Sequence, residues 1–206
     1  MARPLRIEYP GAVYHVIVRG NNRQPVFHDA ADRRVYLAKL QHYCGAKEVH
    51  LLCYCLLSNH VHLLVETPRG NLSKLMQAFQ TSYTRYFNRR HGRTGHVFEQ
   101  RYKALLVDRD NYLLQVSRYI HLNPVGAKVV TRPRAYRWSS YRAYCRPEGG
   151  AGLHRDVILG HFGGPTPQRV AQYRAFVEGA LHPTPWTEHC HHCASSRNWR
   201  GRSVCE

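Results

Sequence analysis

The chain is expected to fold as α+β, an antiparallel sheet with helices packed on one side, of the split βαβ sort. Three observations predict this. Apolar, β-branched runs of strand length recur through the first half of the sequence. Between them lie two long segments with helical spacing of apolar residues. Two of the runs are separated by only two polar residues, which makes them an antiparallel hairpin rather than parallel strands joined by a crossover.

The first strand is AVYHVIV (residues 12–18), ending at the polar loop RGNNRQ (19–24). From Asp29 the segment DAADRRVYLAKLQHYC sets Val35, Leu37, Leu40 and Tyr43 near helical spacing, with acids in its first turn, and reads as an amphipathic helix. VHLLCYCLL (49–57) and HVHLLVE (60–66), joined through Ser58 and Asn59, form the hairpin. From Asn71 to His91, Leu72, Leu75, Met76, Phe79, Tyr83 and Tyr86 share one stripe, and Gly92 stops the helix. Residues 97–107 (VFEQRYKALLV) return to strand character. Asp108 or Asp110 then caps a helix with the body NYLLQVSRYIHL, ended by Pro124 and Gly126. Beyond Trp138 the pattern thins to a Gly-rich break at 149–152, a short helix over 168–180 and a polar tail.

The composition bounds the function. At 206 residues the chain suits one domain with an appendage, and 43% hydrophobic residues with 14 Tyr exclude general disorder. Its apolar runs are strand-sized, far short of the ~18–20 residues a membrane span needs, and MARPLRIEYPG is no apolar leader. A cytoplasmic protein without membrane contact is expected. The formal charge is +17, of which residues 181–206 carry +1, so the positive field belongs to the folded part. Nucleic acid is the leading partner for such a field, against a basic but otherwise ordinary enzyme. Seven scattered cysteines without a framework spacing read as free thiols.

Three groups of residues carry candidate chemistry. His60 and His62 lie two apart in a strand, so both imidazoles point to one face. Adjacent imidazoles repel when protonated, and as neutral groups they suit a metal ion, although a pair of surface histidines is the plainer reading of that spacing. Glu66 continues the same face farther along. Tyr119 and Asn123, at i and i+4 on a helix, can aim a phenol and an amide at one point, while any one of 14 tyrosines is by count a core residue. If helix and strand meet, two imidazoles and an amide oxygen suit Mg²⁺ or Mn²⁺. The third group is basic. Arg19, Asn22 and Arg23 have the composition of a loop that contacts phosphates and bases, or of an ordinary polar turn. Arg85 and Arg89 share a helical face that either tracks a DNA backbone or is simply solvated, and Arg101 and Lys103 share a strand face. In the tail, Cys190-His191-His192-Cys193 lacks the second knuckle of a zinc site and reads as a flexible His-rich segment.

The strings LLSNHVHLLVE, GHVFEQRYKALLVD, NYLLQVSRYIHLNPVGAKVV and YRWSSY follow the opening YPGAVYHVIVRGNNRQPVF in that order. Over residues 6–145 the chain thereby resembles the REP-associated tyrosine transposases, relatives of the insertion-sequence-200-like HUH transposases. The resemblance implies a ferredoxin-like or RRM-like HUH fold and a metal held by His60, His62 and Asn123, with Tyr119 as the nucleophile. It also implies cleavage and rejoining of single-stranded DNA at palindromic hairpin repeats through a 5′-phosphotyrosine intermediate. Asn at 123 fits the REP-associated branch, where other branches carry Gln. The match strengthens Arg101 and Lys103 as DNA contacts, and His121 is given no base role. The expected division is a catalytic domain over 1–146, a helical extension over 147–181 and a flexible tail over 182–206. A domesticated hairpin-DNA binder that no longer cuts, and a relaxase or replication-initiator nickase, are the alternatives. The complete set of His60, His62, Tyr119 and Asn123 favours cleavage, and no neighbouring second catalytic tyrosine supports a nickase. Monomer and homodimer, with the tyrosine acting in cis or in trans, both stay open.

Overall fold

The structure is a computed structural model and describes residues 7–180. Its strands are β1 (Ala12–Arg19), β2 (His50–Leu56), β3 (His60–Thr67) and β4 (Lys103–Val107), and its helices are α1 (Ala30–Ala46), α2 (Leu72–His91), α3 (Leu113–Gly126), α4 (Tyr141–Tyr144), α5 (Asp156–Leu159) and α6 (Thr166–Glu178). The sheet is antiparallel in the order β2-β3-β1-β4, so the fold class is α+β as expected. Local chemistry sets the boundaries. The Asp29 carboxylate accepts from the Asp32 amide at 3.0 Å and starts α1. Gly92, at φ 58°, ends α2 in the left-handed cap that glycine adopts without a Cβ penalty. Asp108 holds the amides of Asp110 and Asn111 in a turn ahead of α3. Pro124 lies inside the last turn of α3 rather than beyond it, and the Ala127 amide closes the helix on the Asn123 carbonyl. The strand expected over 97–107 is shorter. Only β4 is regular, Phe98 makes an isolated bridge to Gly20, and Arg101 lies in a bend outside the strand.

Strand alternation sorts the side chains into two cores. Tyr14, Val16 and Val18 of β1 with Val61, Leu63 and Val65 of β3 pack against Tyr36 and Leu40 of α1 and Phe79, Tyr83 and Phe87 of α2. The expectation of helices on one side describes this pair. The structure adds a second layer, in which Val13, Leu52, Cys53, Cys55 and Leu64 pack on the opposite face against α3, α4, α5 and α6. The described cysteines, Cys44, Cys53, Cys55 and Cys145, are free thiols.

The second layer fixes α3. His121 is fully buried, with Nδ1 2.7 Å from the Tyr173 hydroxyl and Nε2 2.8 Å from Ser140 Oγ. Tyr173 in turn donates to Ser117 Oγ at 3.1 Å and Ser140 Oγ to the Tyr54 carbonyl at 3.2 Å, so the imidazole sits in a closed network joining α3, α6 and β2. Burial pushes its pKa down to about 3, which keeps His121 neutral. The unfolded chain, with imidazole near its ordinary 6.5, takes up the proton first. Stability is therefore complete above that value and falls as pH drops from 6.5 toward 3. Urea midpoints measured between pH 7.5 and 4.5 should fall steadily, and less so in His121→Gln, which cannot titrate. Equal slopes for the two proteins would remove His121 from this account.

Candidate functional site

The β1–β3 register is the starting point. Arg19 pairs with His60, Ile17 with His62 and His15 with Leu64, which sets His15 and His62 as diagonal neighbours on the α3 face of the sheet. Their rings stack with centroids 5.2 Å apart, and His15 Nε2 lies 2.9 Å from His62 Nδ1. One helical turn of α3 comes down on this pair. The half-buried Tyr119 ring stands edge-on to His62, centroids 5.6 Å apart, and to His15 at 5.9 Å. Asn123, one turn later, reaches close enough to His60 to act on its protonation, and the His60 ring centroid is 5.0 Å from that of His62. A single chain thus brings together His60, His62, Tyr119 and Asn123.

All three imidazoles are kept neutral. Burial lowers His15 to about 3, with Lys103 adding repulsion. Burial, then Arg19, lowers His60 to about 4 against the hydrogen bond to Asn123, which favours the cation. His62 is pushed well below its ordinary value by burial first, then by His15, His60 and Arg19. The bond to Asn59 decides which nitrogen of His60 carries the proton. Asn59 Oδ1 can only accept, so at 2.7 Å it takes His60 Nδ1–H and leaves the lone pair on Nε2. At His62, a proton on Nδ1 donated to His15 Nε2, 2.9 Å away, would likewise leave the lone pair on Nε2. His62 Nε2 is buried and has no hydrogen-bond partner, a costly condition unless a ligand takes its lone pair. A divalent cation fits that requirement. Among the described residues no group of three or more His, Cys, Asp or Glu could hold a metal ion, so a cation here needs the Asn123 amide as its third protein donor.

The basic candidates divide between two places. Arg19 ends β1 beside His60, and its charge acts on both His60 and His62. Lys103 starts β4 and acts on His15, while Arg101 is exposed in the bend before it, so the expected shared strand face does not exist. Asn22 and Arg23 are exposed and left-handed, at φ 51° and 58°, in a short helical turn over Asn21–Arg23. That loop is tied to the site, because Asn59 Nδ2 donates to the Arg23 carbonyl at 3.2 Å while Asn59 Oδ1 holds His60. Gly20 closes it: a Cβ there would lie 2.1 Å from the Gln24 carbonyl oxygen. Arg85 and Arg89 lie on α2, which covers the other face of the sheet, and line a groove between α1 and α2. Glu66 is absent from the cluster, being paired with Arg109 at 2.6 Å and His50 at 3.0 Å toward the far end of β3. The Cys/His motif at 190–193 lies outside the described residues.

Two residues of the cluster, His15 and Asn59, escape a reading by motif. A histidine inside AVYHVIV, on the strand face that carries Val13, is the one available signal. Asn59 reads only as a turn residue until its side chain is seen bridging two loops.

Comparison with known proteins gives a consistent result. The family described as Transposase IS200 like matches residues 9–123. The structure described as a REP-associated tyrosine transposase bound to a REP hairpin superposes with a TM-score of 0.57 at 16% identity, covering 79% of this chain and 89% of that one. A candidate transposase from Deinococcus radiodurans superposes with a TM-score of 0.42 at 19% identity, over 58% of this chain and 95% of that one. No curated protein matches.

Proposed function

The chain belongs to the IS200-like transposase family, and from that premise we propose that it is a metal-dependent, single-tyrosine transposase that cleaves and rejoins single-stranded DNA at hairpin repeats. The observation that carries this reading is the meeting of α3 with the paired histidines: the Tyr119 ring rests edge-on against His62 while Asn123, one turn on, stands beside His60. In the same proposal residues 1–146 form the catalytic domain and 147–181 its helical extension. The hairpin as substrate is supported by the motif strings and by the solved relative that holds a REP hairpin.

His60 Nε2, His62 Nε2 and the Asn123 amide oxygen would hold Mg²⁺ or Mn²⁺, which when bound polarises and orients the scissile phosphate. The phenol does the chemistry. A free phenol, with a pKa near 10, is only about one-thousandth ionised at neutral pH, so positioning and charge stabilisation must make up for a weak nucleophile. Edge contacts with His15 and His62 fix the ring, and Arg19 supplies positive charge beside the phosphate position. The Tyr119 oxygen forms a bond to phosphorus as the bond to the 3′ oxygen breaks, and the phenol's proton ends on the released 3′-hydroxyl. The 5′-phosphotyrosine keeps a phosphodiester's energy for rejoining, and the reverse attack restores the strand. Arg19 and Lys103 at the strand ends and Asn22, Arg23 and Arg101 in the adjoining loops are assigned to the DNA strand.

The test incubates the full chain with a labelled single-stranded hairpin and Mn²⁺, followed by denaturing electrophoresis. A protease-sensitive covalent adduct is expected. A stable complex without any adduct would instead mark a DNA-binding protein that does not cut.

His15 acts through His62 as a positioning residue, since it accepts from the proton-bearing nitrogen and directs Nε2 outward. Replacement as His15→Phe should weaken Mn²⁺ binding about 10- to 100-fold by calorimetry, with His15→Gln restoring part of it through its amide acceptor. Unchanged Mn²⁺ affinity in His15→Phe would show that His15 only fills space.

A further inference from the structure

A second charged feature lies on the far face of the molecule, where no part of the Tyr119 cluster reaches. The helices α1 and α2 run antiparallel, since Asp29 and Asp32 at the start of α1 bond Arg90 at the end of α2, and Asn71 before α2 donates to the Lys47 carbonyl at the end of α1. Between them is a groove of about 720 Å³ lined by Lys39, Lys47, Lys74, Arg85 and Arg89 without a single carboxylate. The nearby acids are already engaged: Asp29 and Asp32 by Arg90, and Glu48 by Arg69 at 2.6 Å. Five cations at one groove focus a positive potential that draws in a polyanion.

The groove's shape selects the anion. From Lys74 to Arg89 the cations extend along α2 for about 22 Å at 1.5 Å per residue, the length of roughly six nucleotides at duplex rise. The two helices pack directly, with Lys39 Nζ donating to Ser82 Oγ at 2.8 Å between them, so the groove is a furrow over a helix pair whose cations a flexible single strand can follow more closely than a stiff duplex. Tyr43 and Tyr86, half-exposed on its two sides, present ring surface to unpaired bases. We propose that the α1–α2 groove is a second binding site for single-stranded DNA, opposite the cleavage site, so that one molecule grips a distal part of the flanking strand while the strand to be cut lies at Tyr119. This rests on the DNA reading above and extends it to a second track.

The test measures binding by fluorescence anisotropy without added metal, using three DNAs: a minimal hairpin, the same hairpin with a single-stranded extension long enough to pass round the molecule, and the same extension annealed to its complement. The single-stranded extension is expected to tighten binding by at least about tenfold through simultaneous engagement of both sites. In Lys47→Gln/Lys74→Gln that gain should largely disappear, and the log–log salt slope on the extended DNA should fall by about 1.4, at ~0.7 for each phosphate that the variant no longer neutralises. Binding and adduct formation with the minimal hairpin should stay unchanged. An undiminished gain in the variant, an equal gain from the duplex extension, or parallel weakening on the minimal hairpin would each overturn the proposal. Absence of adduct with the unaltered protein would instead count against the cleavage reading, while the gain from the extension would still report on the groove.

Discussion

Tyr119→Phe should abolish the covalent protein–DNA adduct while leaving hairpin binding nearly intact. The substitution removes one oxygen and keeps the ring, so the edge contacts to His15 and His62 and the packing against the second core persist. A nucleophile deleted from a cluster acting as a unit costs at least about 10³-fold in the step it performs. Anisotropy on the hairpin should change less than about threefold, because DNA affinity comes from the basic residues and phosphates. Most other tyrosines near α3 cannot substitute. Tyr136, Tyr141 and Tyr144 are buried and donate to Leu56 O, Glu178 Oε1 and Leu52 O, and burial raises the pKa of each. An adduct that survives in Tyr119→Phe would reject the assignment outright.

The second large effect is expected at His62. In His62→Ala the buried Nε2 is gone, the stacked partner of His15 is removed, and one of the three donors to any cation disappears with it. Adduct formation should fall by at least about 10²-fold and should not recover with added Mn²⁺. Thermal stability should fall as well, since the substitution leaves the buried His15 Nε2 without its partner, a cost of about 1–3 kcal/mol that removal of the unpartnered His62 Nε2 only partly offsets. A variant that regains full activity at higher Mn²⁺ would show that His62 contributes only to affinity and that the other donors suffice. His60→Ala should be less severe at high Mn²⁺, because its ring is half-exposed and Asn59 still ties the loop through the Arg23 carbonyl.

Much of this site could be read from the chain because its chemistry follows short periods. The strand repeat of two sets His60 and His62 on one face, and the helical i, i+4 spacing sets Tyr119 and Asn123 on another. The meeting of those faces is a long-range fact, which motif resemblance supplied and local periodicity could not. His15 shows the limit well. Its contact with His62 depends on the β1–β3 register, and a histidine among valines reads as packing until that register is known. Arg85 and Arg89 share a face as their spacing required, but on which side of the sheet α2 would lie is a matter of topology. The second helical layer was the least legible part. Tyr136, Tyr141, Tyr144 and Tyr173 stand in polar, arginine-rich sequence, and their burial rests on hydroxyls that reach backbone oxygens, Ser117 and Glu178. Helices α4 and α5, of four residues each, are too short to show a period at all.

The central claim is that one cation touches both the hairpin strand and the tyrosine helix of the same molecule. Anomalous diffraction from a crystal of the full chain soaked in Mn²⁺ tests it directly. The expected peak lies within bonding distance of His60 Nε2, His62 Nε2 and the Asn123 amide oxygen, beside the Tyr119 hydroxyl. A Mn²⁺ peak elsewhere, with His62 Nε2 still unliganded, would contradict the account.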